Sequence, residues 1–265
     1  MVNTVLASGG LLVGLGLAFG FVLAYASKRF HVEEDGRIVL VEEALPGFNC
    51  AACGQSGCHA FAEAVVDGKT PADGCAPGGK DVAQKVAKIL GVEAKEVEPK
   101  IATVRCGGGI RCKDRFTYTG VASCAQAALL AGGHKACSYG CLGFGDCVAA
   151  CQFNAIRMGE DGIPTVDPAK CTSCGLCVAA CPKKIIELTP KTKRYHVLCS
   201  SKDKGAYVRS VCPVGCIACG LCVKNCPNQA CMLEENLSRI NYAKCQNASK
   251  CAQTCPTKSI KELPR

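Results

Sequence analysis

One cysteine pattern occurs twice in this chain and constrains its fold more than any other feature. Residues 171–182 read Cys-Thr-Ser-Cys-Gly-Leu-Cys-Val-Ala-Ala-Cys-Pro, and residues 216–227 repeat the pattern as Cys-Ile-Ala-Cys-Gly-Leu-Cys-Val-Lys-Asn-Cys-Pro. Both runs have the spacing C-x2-C-x2-C-x3-C-P, with which bacterial proteins hold cubane iron–sulfur clusters. Three closely spaced thiolates bind one cluster, and the fourth, just before the proline, binds the neighbouring cluster. The pattern therefore predicts an iron–sulfur protein.

The 25 cysteines among 265 residues have two other interpretations. A zinc site of four cysteines is the alternative for a single run, but two runs that end in Cys-Pro and contain no His favour iron–sulfur clusters. A disulfide scaffold is typical of short secreted chains, whereas this chain has an odd number of cysteines and no evident cleavable secretion signal. We therefore expect reduced, metal-binding thiols on the cytoplasmic side. Aromatic residues make up only 5% of the chain, so we expect the clusters to supply part of its cohesion.

The formal net charge of +9 would by itself favour acidic partners such as nucleic acid or anionic lipid. A cubane with four thiolates carries about −2, so six clusters would bring roughly −12 and leave a nearly neutral protein. Nucleic acid is not expected as a partner because the basic residues lack interleaved aromatic side chains. One basic group is either an ordinary solvated surface or a dock for an acidic redox partner: Lys183, Lys184, Lys191, Lys193 and Arg194.

Residues 5–26 form an uncharged segment rich in Leu, Val, Gly and Ala. The segment is long enough to cross a bilayer as a helix, and its small residues allow another helix to pack closely. A signal peptide would have basic residues before the apolar run and a small-residue cleavage site after it, but here Lys28 and Arg29 follow the run. By the positive-inside rule we expect a single-pass anchor in the cell inner (plasma) membrane, with the bulk of the chain cytoplasmic. The alternative, a buried helix of a soluble protein, fits so long an uncharged segment poorly.

A charged connector over residues 28–46 leads to a first cysteine group, Cys50, Cys53, Cys58 and Cys75. Its C-x2-C-x4-C spacing, with glycines between the ligands, differs from that of the two runs and predicts a separate four-thiolate iron–sulfur module. Apolar spacing predicts helices over residues 59–66 and 81–90. A four-cysteine zinc site is the alternative for this module taken alone. His59 is expected to be a packing or surface residue.

Two further runs have the same spacing except that each lacks the second cysteine. Phe144 replaces it in residues 141–151, and Ala248 replaces it in residues 245–255. The chain therefore contains two ferredoxin-like units, each with one complete and one interrupted run. The predicted fold is α+β, with an N-terminal transmembrane helix, a small helical four-Cys iron–sulfur module and tandem bacterial-ferredoxin-like units. The predicted boundaries are 1–27 for the anchor, 28–100 for the linker and module, 101–198 for unit 1 with a cysteine-rich insertion, and 199–265 for unit 2.

The fourth thiolate of each run is expected to bind the neighbouring cluster of the same unit. This crossed-ligand rule assigns one complete set in each unit, Cys151, Cys171, Cys174 and Cys177, and Cys216, Cys219, Cys222 and Cys255. It leaves two sets of three, Cys141, Cys147 and Cys181, and Cys226, Cys245 and Cys251. Six more cysteines lie outside these sets: Cys106, Cys112, Cys124, Cys137, Cys199 and Cys212. Twelve ligands are enough for three more clusters, but the spacing does not show how they divide.

With the N-terminal module, this count predicts about six [4Fe-4S] clusters held by 24 cysteines. The expected range is five or six, because a missing ligand at one or two sites would leave a [3Fe-4S] cluster instead. Cys231 is left over, at the place where Ile156 lies in unit 1, and is expected to be a core residue. The three glycines at 107–109 lack the Lys-Ser/Thr of a phosphate-binding loop. We expect them to let the backbone pass close to a cluster.

The order of these features closely resembles that of the B subunit family of the Rnf complex, over essentially the whole chain. The cysteines from Cys50 to Cys75 match the N-terminal iron–sulfur module of that family, and the runs at 171–181 and 216–226 match its ferredoxin runs. The additional cysteines resemble the cluster-rich version found in anaerobes, whereas Phe144 and Ala248 depart from the plain motif. The resemblance implies a subunit of an ion-translocating ferredoxin:NAD+ oxidoreductase. Such a complex passes electrons from reduced ferredoxin to NAD+ and couples the drop in potential to pumping of Na+ or H+.

The sequence contains no nucleophile–base pair, dinucleotide fingerprint or flavin site, so no catalytic residue is predicted and electron transfer is the expected activity. Reduced ferredoxin would dock on the distal units, and electrons would run towards the N-terminal module, which the connector would allow to swing. The membrane helix would hold that module against the other subunits of a membrane redox complex. One alternative is a polyferredoxin subunit of a hydrogenase or formate-oxidising complex, against which the N-terminal module argues. The other is a zinc-rich interaction protein, which would be colourless and redox-silent.

Overall fold

The computed structural model describes residues 2–30, 35–93 and 98–264, with backbone only for residues 2–8. In these residues the chain forms ten α-helices, one short 3-10 turn and eight strands, which pair as four two-stranded antiparallel sheets. A long N-terminal helix precedes a helical module, and two mixed helix–strand units follow. This order confirms the predicted α+β class.

Helix α1, Val2–Arg29, is 28 residues long and carries two basic residues in its last turn. Cations there interact favourably with the negative end of the helix dipole. The segment Gly9–Arg29 has a mean hydropathy of 2.0, and none of its most apolar stretch is buried against the rest of the chain. Large apolar side chains such as Phe19 and Phe21 are exposed. The helix expected over residues 5–26 is therefore present, and it is long enough to span a bilayer.

Three helices form the N-terminal module: α2 (Gly36–Ala44), α3 (Cys58–Val66) and α4 (Gly79–Leu90). The last two confirm the helices predicted from apolar spacing. The module core contains Val41 from α2, Phe61 from α3 and Val86 from α4, all almost fully buried. The connector predicted over residues 28–46 thus contributes a helix to the folded module, because Val41 packs in its core. Residues 31–34 of that connector lie outside the described residues.

Unit 1 contains the strands β1 (Lys100–Val104), β2 (Ile156–Met158), β3 (Pro164–Val166) and β4 (Ile186–Pro190), and the helices α5 (Cys124–Leu129), α6 (Asp146–Ala149) and α7 (Leu176–Ala180). The first and last strands pair antiparallel, from Lys100 with Pro190 to Val104 with Ile186, and so close the unit. Strands β2 and β3 form an antiparallel hairpin between α6 and α7. The buried side chains of Val104, Ile156 and Ile186 pack with cysteines of both runs.

Unit 2 repeats this arrangement with the strands β5 (Tyr195–Val197), β6 (Cys231–Glu234), β7 (Leu237–Ile240) and β8 (Ile260–Glu262), and the helices α8 (Gly205–Val211), α9 (Leu221–Lys224) and α10 (Lys250–Gln253). Strand β5 pairs with β8, and β6 pairs with β7. The core packs Val197, Leu237 and Ile260 around Cys231. Because β5 begins at Tyr195, the first strand of this unit lies before residue 199, where the sequence set its boundary.

The cysteine-rich insertion of unit 1, residues 106–137, holds the two units together. It contains the 3-10 turn at Gly109–Arg111 and helix α5. Hydrogen bonds join it to unit 2 at three points, from Gly107 N–H to the Leu198 carbonyl (2.9 Å), from Lys113 N–H to the Val211 carbonyl (2.9 Å) and from the Tyr207 hydroxyl to the Ala136 carbonyl (3.0 Å). These three hydrogen bonds fix unit 1 against unit 2.

A chain that begins at residue 30 should stay in solution without detergent and keep the fold of its other modules. The reason is that the described side chains of α1 lie outside the cores, so their removal takes away only exposed apolar surface. Size-exclusion chromatography in detergent-free buffer and far-ultraviolet circular dichroism would check this against the full chain in detergent. Aggregation, or a loss of helix signal larger than the share of α1, would contradict the expectation.

Candidate iron–sulfur sites

All 25 cysteines lie in the described part of the chain and carry free thiols. They gather in six groups. The members are Cys50, Cys53, Cys58 and Cys75 in site 1, Cys151, Cys171, Cys174 and Cys177 in site 2, Cys124, Cys141, Cys147 and Cys181 in site 3, Cys106, Cys112, Cys137, Cys199 and Cys212 in site 4, Cys216, Cys219, Cys222 and Cys255 in site 5, and Cys226, Cys231, Cys245 and Cys251 in site 6.

The same local geometry presents a cysteine in all four ferredoxin-type runs. A residue with positive φ precedes each short helix: Gly145 (81°), Gly175 (81°), Gly220 (72°) and Ser249 (58°). The second residue of each helix is a cysteine: Cys147, Cys177, Cys222 and Cys251. The backbone N–H of the next residue donates to the thiol in three of these helices, from Val148 to Cys147, from Val223 to Cys222 and from Ala252 to Cys251. Glycine adopts positive φ without strain, which explains the Cys-Gly-Leu-Cys of the two complete runs.

Site 1 is a cavity in the N-terminal module lined by its four predicted ligands. The Asn49 side-chain oxygen accepts a hydrogen bond from Cys58 N–H (2.8 Å) at the start of α3, which ties the ligand loop to that helix. Burial raises the pKa of the Cys75 thiol, and the other three thiols raise it further because they lie close by. The neighbouring His59 pairs with Glu42 (2.7 Å) at the surface, as expected.

Sites 2 and 5 bring together the ligand sets that the crossed-ligand rule assigns. In site 2 the Cys177 thiol lies near those of Cys171, Cys174 and Cys151, the last of which comes from the interrupted run. In site 5 the four thiols share a cavity with two serine hydroxyls, Ser238 at 3.1 Å from Cys222 Sγ and Ser259 at 3.3 Å from Cys255 Sγ. Hydrogen bonds to sulfur and burial both tune the potential of a cluster.

Site 3 forms around the first interrupted run. Cys141, Cys147 and Cys181 line a cavity together with Cys124, which α5 brings in from the insertion. Burial raises the pKa of Cys141 to about 12 and that of Cys147 to about 11, and the nearby Cys124 thiol adds to both shifts. The spacing of the sequence left Cys124 unassigned. Its partners become visible only when the insertion is folded back onto unit 1.

Site 4 lies between the two units and gathers the five thiols of Cys106, Cys112, Cys137, Cys199 and Cys212. The backbone of residues 107–109 lines it, and a Cβ added at Gly108 would lie 3.2 Å from Cys212 Sγ. Gly109 has φ of +51°, and a Cβ there would overlap the Asp161 carbonyl oxygen. A hydrogen bond from Cys212 lowers the pKa of the Cys112 thiol to about 6. The glycines thus allow close approach to thiols, as expected, and also to a second backbone segment.

Site 6 contains the three cysteines that the second interrupted run leaves together, and Cys231 joins them. Cys231 is buried in the unit 2 core, as expected, but its thiol also hydrogen-bonds with Cys222 and Cys251. Ala248 lines the same cavity and offers no donor atom. The twelve cysteines that the sequence left undivided therefore gather as four in site 3, five in site 4 and three in site 6, rather than as three sets of four.

These donor sets fit multinuclear clusters better than single ions. Around one tetrahedral Zn2+ the sulfurs lie about 3.8 Å apart, because each Zn–S bond is about 2.3 Å long. Among the described residues, no three His, Cys, Asp or Glu side chains are placed to hold one metal ion. Each of sites 1, 3, 4, 5 and 6 is instead a cavity lined by at least four thiols. A cluster of several iron and sulfide ions bridges thiolates over such a space.

The basic group beside the first complete run is engaged within the chain. Four of its five members have partners: Lys183 donates to the Gly132 carbonyl (2.8 Å), Lys191 to the Pro168 carbonyl (2.9 Å) and Lys193 to the Cys245 carbonyl (2.6 Å), and Arg194 pairs with Glu262 (2.6 Å). These cations tie loops and strands together. These contacts favour an ordinary solvated surface over a dock for a redox partner.

Neighbouring sites lie close enough for their thiols to interact electrostatically along the whole series. Between sites 1 and 2, the rings of Phe48 and Phe153 pack edge to face with centroids 5.0 Å apart, and Cys50 lies near enough to Cys174 to interact electrostatically. The other links are Cys147 with Cys177 between sites 3 and 2, Cys106 with Cys141 between sites 4 and 3, Cys199 with Cys216 between sites 4 and 5, and Cys231 with Cys222 between sites 6 and 5. Two of these are direct hydrogen bonds, one from Cys141 N–H to Cys106 Sγ (3.4 Å) and one between the thiols of Cys231 and Cys222.

Six adjoining thiol sites that follow an exposed apolar helix, long enough to cross a membrane, indicate an iron–sulfur protein that transfers electrons. Comparison with known families agrees with this class. Residues 45–77 match the family model described as "Putative Fe-S cluster", and residues 136–185 match the "4Fe-4S dicluster domain".

Three relatives align with almost the whole chain, and each is the B subunit of its complex. The chain is 47% identical to that of the Na(+)-translocating ferredoxin:NAD(+) oxidoreductase complex of Acetobacterium woodii, over 98% of this chain and 78% of the relative. It is 44% identical to the B subunit of the ion-translocating oxidoreductase complex of Methanosarcina acetivorans, over 98% of this chain and 99% of the relative. It is 47% identical to the B subunit of the proton-translocating ferredoxin:NAD(+) oxidoreductase complex of Clostridium ljungdahlii, over 98% of this chain and 93% of the relative.

The chain belongs to the B subunit family of ion-translocating ferredoxin:NAD+ oxidoreductase (Rnf) complexes. The family resemblance drawn from the cysteine pattern is thereby confirmed. As a member, the chain is an electron-transfer iron–sulfur subunit of an ion-translocating complex, and the other subunits of that complex are its partners. The match favours this family over a hydrogenase or formate-oxidising polyferredoxin.

Gly109→Ala should disrupt site 4, whereas Gly107→Ala should leave it intact. At Gly109 a side chain meets both the positive φ, which costs roughly 1–2 kcal/mol, and the Asp161 carbonyl. At Gly107 the nearest atom would lie 3.5 Å from the added Cβ, an ordinary contact. Iron analysis of anaerobically purified protein should find about four fewer iron atoms per chain in the first variant and no change in the second. Equal iron contents in the two variants would show that the glycine conformation does not shape the site.

Proposed function

We propose that this chain is the subunit through which reduced ferredoxin delivers electrons to a membrane complex that reduces NAD+ and pumps Na+ or H+. The observation that carries the proposal is the unbroken series of six adjoining thiol sites from unit 2 to the N-terminal module. Clusters in such a series pass one electron at a time, and the protein sets their spacing, burial and potential. The names of two relatives, each a ferredoxin:NAD(+) oxidoreductase subunit, support this donor and acceptor.

Site 5 is the proposed point of electron input. Of the cysteines, all of which lie in described residues, Cys219 alone is exposed. Leu221 and Leu233 beside it are 39% and 45% exposed and offer apolar contact around the thiol. Residues 199–265 contain ten basic and four acidic side chains, which favours an acidic electron carrier. These features support ferredoxin docking on unit 2.

Site 1 is the proposed point of output. It adjoins site 2 through the Phe48–Phe153 contact and follows α1 along the chain, so an anchored helix would hold it near the membrane subunits. The basic residues Lys28 and Arg29 at the end of α1 support a single-pass helix with the remaining modules in the cytoplasm.

The thiol groups support six clusters. Sites 1, 2, 3 and 5 each offer four thiols and site 4 offers five, which supports five [4Fe-4S] clusters. Site 6 offers three cysteines of the predicted set, so its cluster is [3Fe-4S] with these alone and [4Fe-4S] if Cys231 also binds. Iron analysis of the whole chain distinguishes the two compositions by one iron atom per chain.

The purified complex that contains this chain should reduce NAD+ with electrons from reduced ferredoxin. The double replacement Cys53→Ala and Cys58→Ala in site 1 should abolish NADH formation but leave ferredoxin-driven bleaching of the other clusters, since electrons still enter at site 5. Both signals can be followed by absorbance in one anaerobic sample.

Two results would contradict the proposed route. Wild-type complex that fails to oxidise reduced ferredoxin would exclude this donor. NADH formation at the wild-type rate in the double variant, with site 1 verified empty by iron analysis, would exclude passage through site 1.

Phe153→Ala should slow electron transfer from site 2 to site 1. An edge-to-face aromatic pair contributes about 0.5–1.5 kcal/mol beyond its buried area. Its loss should therefore lower the fraction of chains in which the N-terminal module packs on unit 1 by about two- to tenfold. The readout is the rate of ferredoxin-dependent NADH formation at equal cluster content. Leu129→Ala, at a side chain of α5 that is 81% exposed, serves as the control. Equal rates in the two variants would show that this contact does not guide the transfer.

A further inference from the structure

The two interrupted runs have the same gap but different surroundings. In each run the second ligand position of the ferredoxin pattern is occupied by a residue that cannot bind iron, Phe144 in one and Ala248 in the other. The fold brings Cys124, from outside the run, into the cavity of the first. In the second, the additional thiol comes from Cys231 on β6, which hydrogen-bonds with Cys222 of site 5 as well as with Cys251.

A half-buried carboxylate positions Cys124 at site 3. Asp146, the first residue of α6, accepts hydrogen bonds from Cys124 N–H (2.9 Å), Ala125 N–H (2.9 Å) and the Ser123 hydroxyl (3.0 Å). These donors form the start of α5, so the carboxylate fastens that helix end to α6. Asp146 directly precedes Cys147 in the chain. One residue thus holds two thiols of site 3 at the same cavity, although they lie 23 positions apart.

Phe144, at the second ligand position of the first interrupted run, has a packing role. The Phe144 ring packs against the rings of Tyr118 and His134, with centroids 5.4 Å away in both cases. Together with Leu142 and Cys124 these side chains form an apolar group on the insertion side of site 3. Phe144 therefore anchors the insertion that carries Cys124. The residue that replaces the second cysteine of the run thus helps to hold the additional cysteine at the site.

We propose that Cys124 supplies the fourth thiolate of a complete [4Fe-4S] cluster at site 3, with Cys141, Cys147 and Cys181 as the other three ligands. Its S–H bond breaks with release of the proton to bulk water, and the thiolate forms one Fe–S bond to the iron that the interrupted run leaves without a protein ligand. Asp146 is a positioning residue for this bond. The assignment does not depend on which carrier donates the electrons or which acceptor receives them.

The test removes this ligand from the full chain and counts three-iron clusters. In Cys124→Ala, treated with ferricyanide without oxygen, the weakened cluster should follow [4Fe-4S]2+ → [3Fe-4S]+ + Fe2+ + e−, with ferricyanide taking the electron. Compared with wild type, electron paramagnetic resonance should count about one more three-iron cluster per chain, and iron should fall by one of the about four atoms of the site. Leu129→Ala, in the same helix, should match wild type.

A second variant separates ligation from folding. Cys124→Ala combined with Phe144→Cys restores a thiol within the run itself, and both values should return towards those of wild type. An unchanged three-iron count and iron content in Cys124→Ala would overturn the proposal. So would loss of all iron from site 3 that the double variant does not restore while Phe144→Cys alone keeps that iron, because Cys124 would then act only through packing.

Discussion

Both ferredoxin-like cores depend on cysteine for much of their buried surface. In unit 1 the aliphatic side chains of Val104, Ile156 and Ile186 pack directly against run cysteines, and unit 2 repeats the arrangement. Burial raises the pKa of thiols such as Cys141 and Cys177 to about 12, so these groups resist ionisation while they face only one another. Iron binds the thiolate form and supplies the positive charge that offsets this cost. The cavities are therefore core and functional site at once, and folding of each unit is linked to cluster binding.

The insertion in unit 1 turns two separate ferredoxin-like units into one series of sites. Its backbone pairs with unit 2 at Gly107 and Lys113, and its helix α5 is held to unit 1 by Asp146. Site 4 exists only because these contacts bring thiols from both units together. At the other end, the Phe48–Phe153 contact joins unit 1 to the N-terminal module. Electron transfer along such a series requires that neighbouring sites lie close together in space. Contacts between residues that are far apart in the sequence bring these sites together.

Local patterns predicted the elements whose geometry is decided locally. The uncharged N-terminal stretch is α1, and the apolar spacing after Cys58 and Asp81 gives α3 and α4. The connector before Cys50 was more difficult, because its charged residues hid the few apolar side chains, Val41 above all, that build α2 into the module. The crossed-ligand sets of sites 2 and 5 could also be predicted, because the complete run and the interrupted run that share ligands belong to the same compact unit.

The sequence by itself determined the chemistry of this protein, because cysteine spacing within a turn decides which sulfurs face one cluster. It also determined the family, through the order of anchor, module and units. Only the tertiary structure decided how the remaining cysteines divide, because a ligand set requires sulfurs around one space and places no limit on their separation along the chain. Cys124 joins Cys147 through the hydrogen bonds of Asp146, and Cys106 meets Cys212 across the boundary of two units. Such contacts depend on how whole helices and strands pack, and the spacing of cysteines along the sequence does not show this.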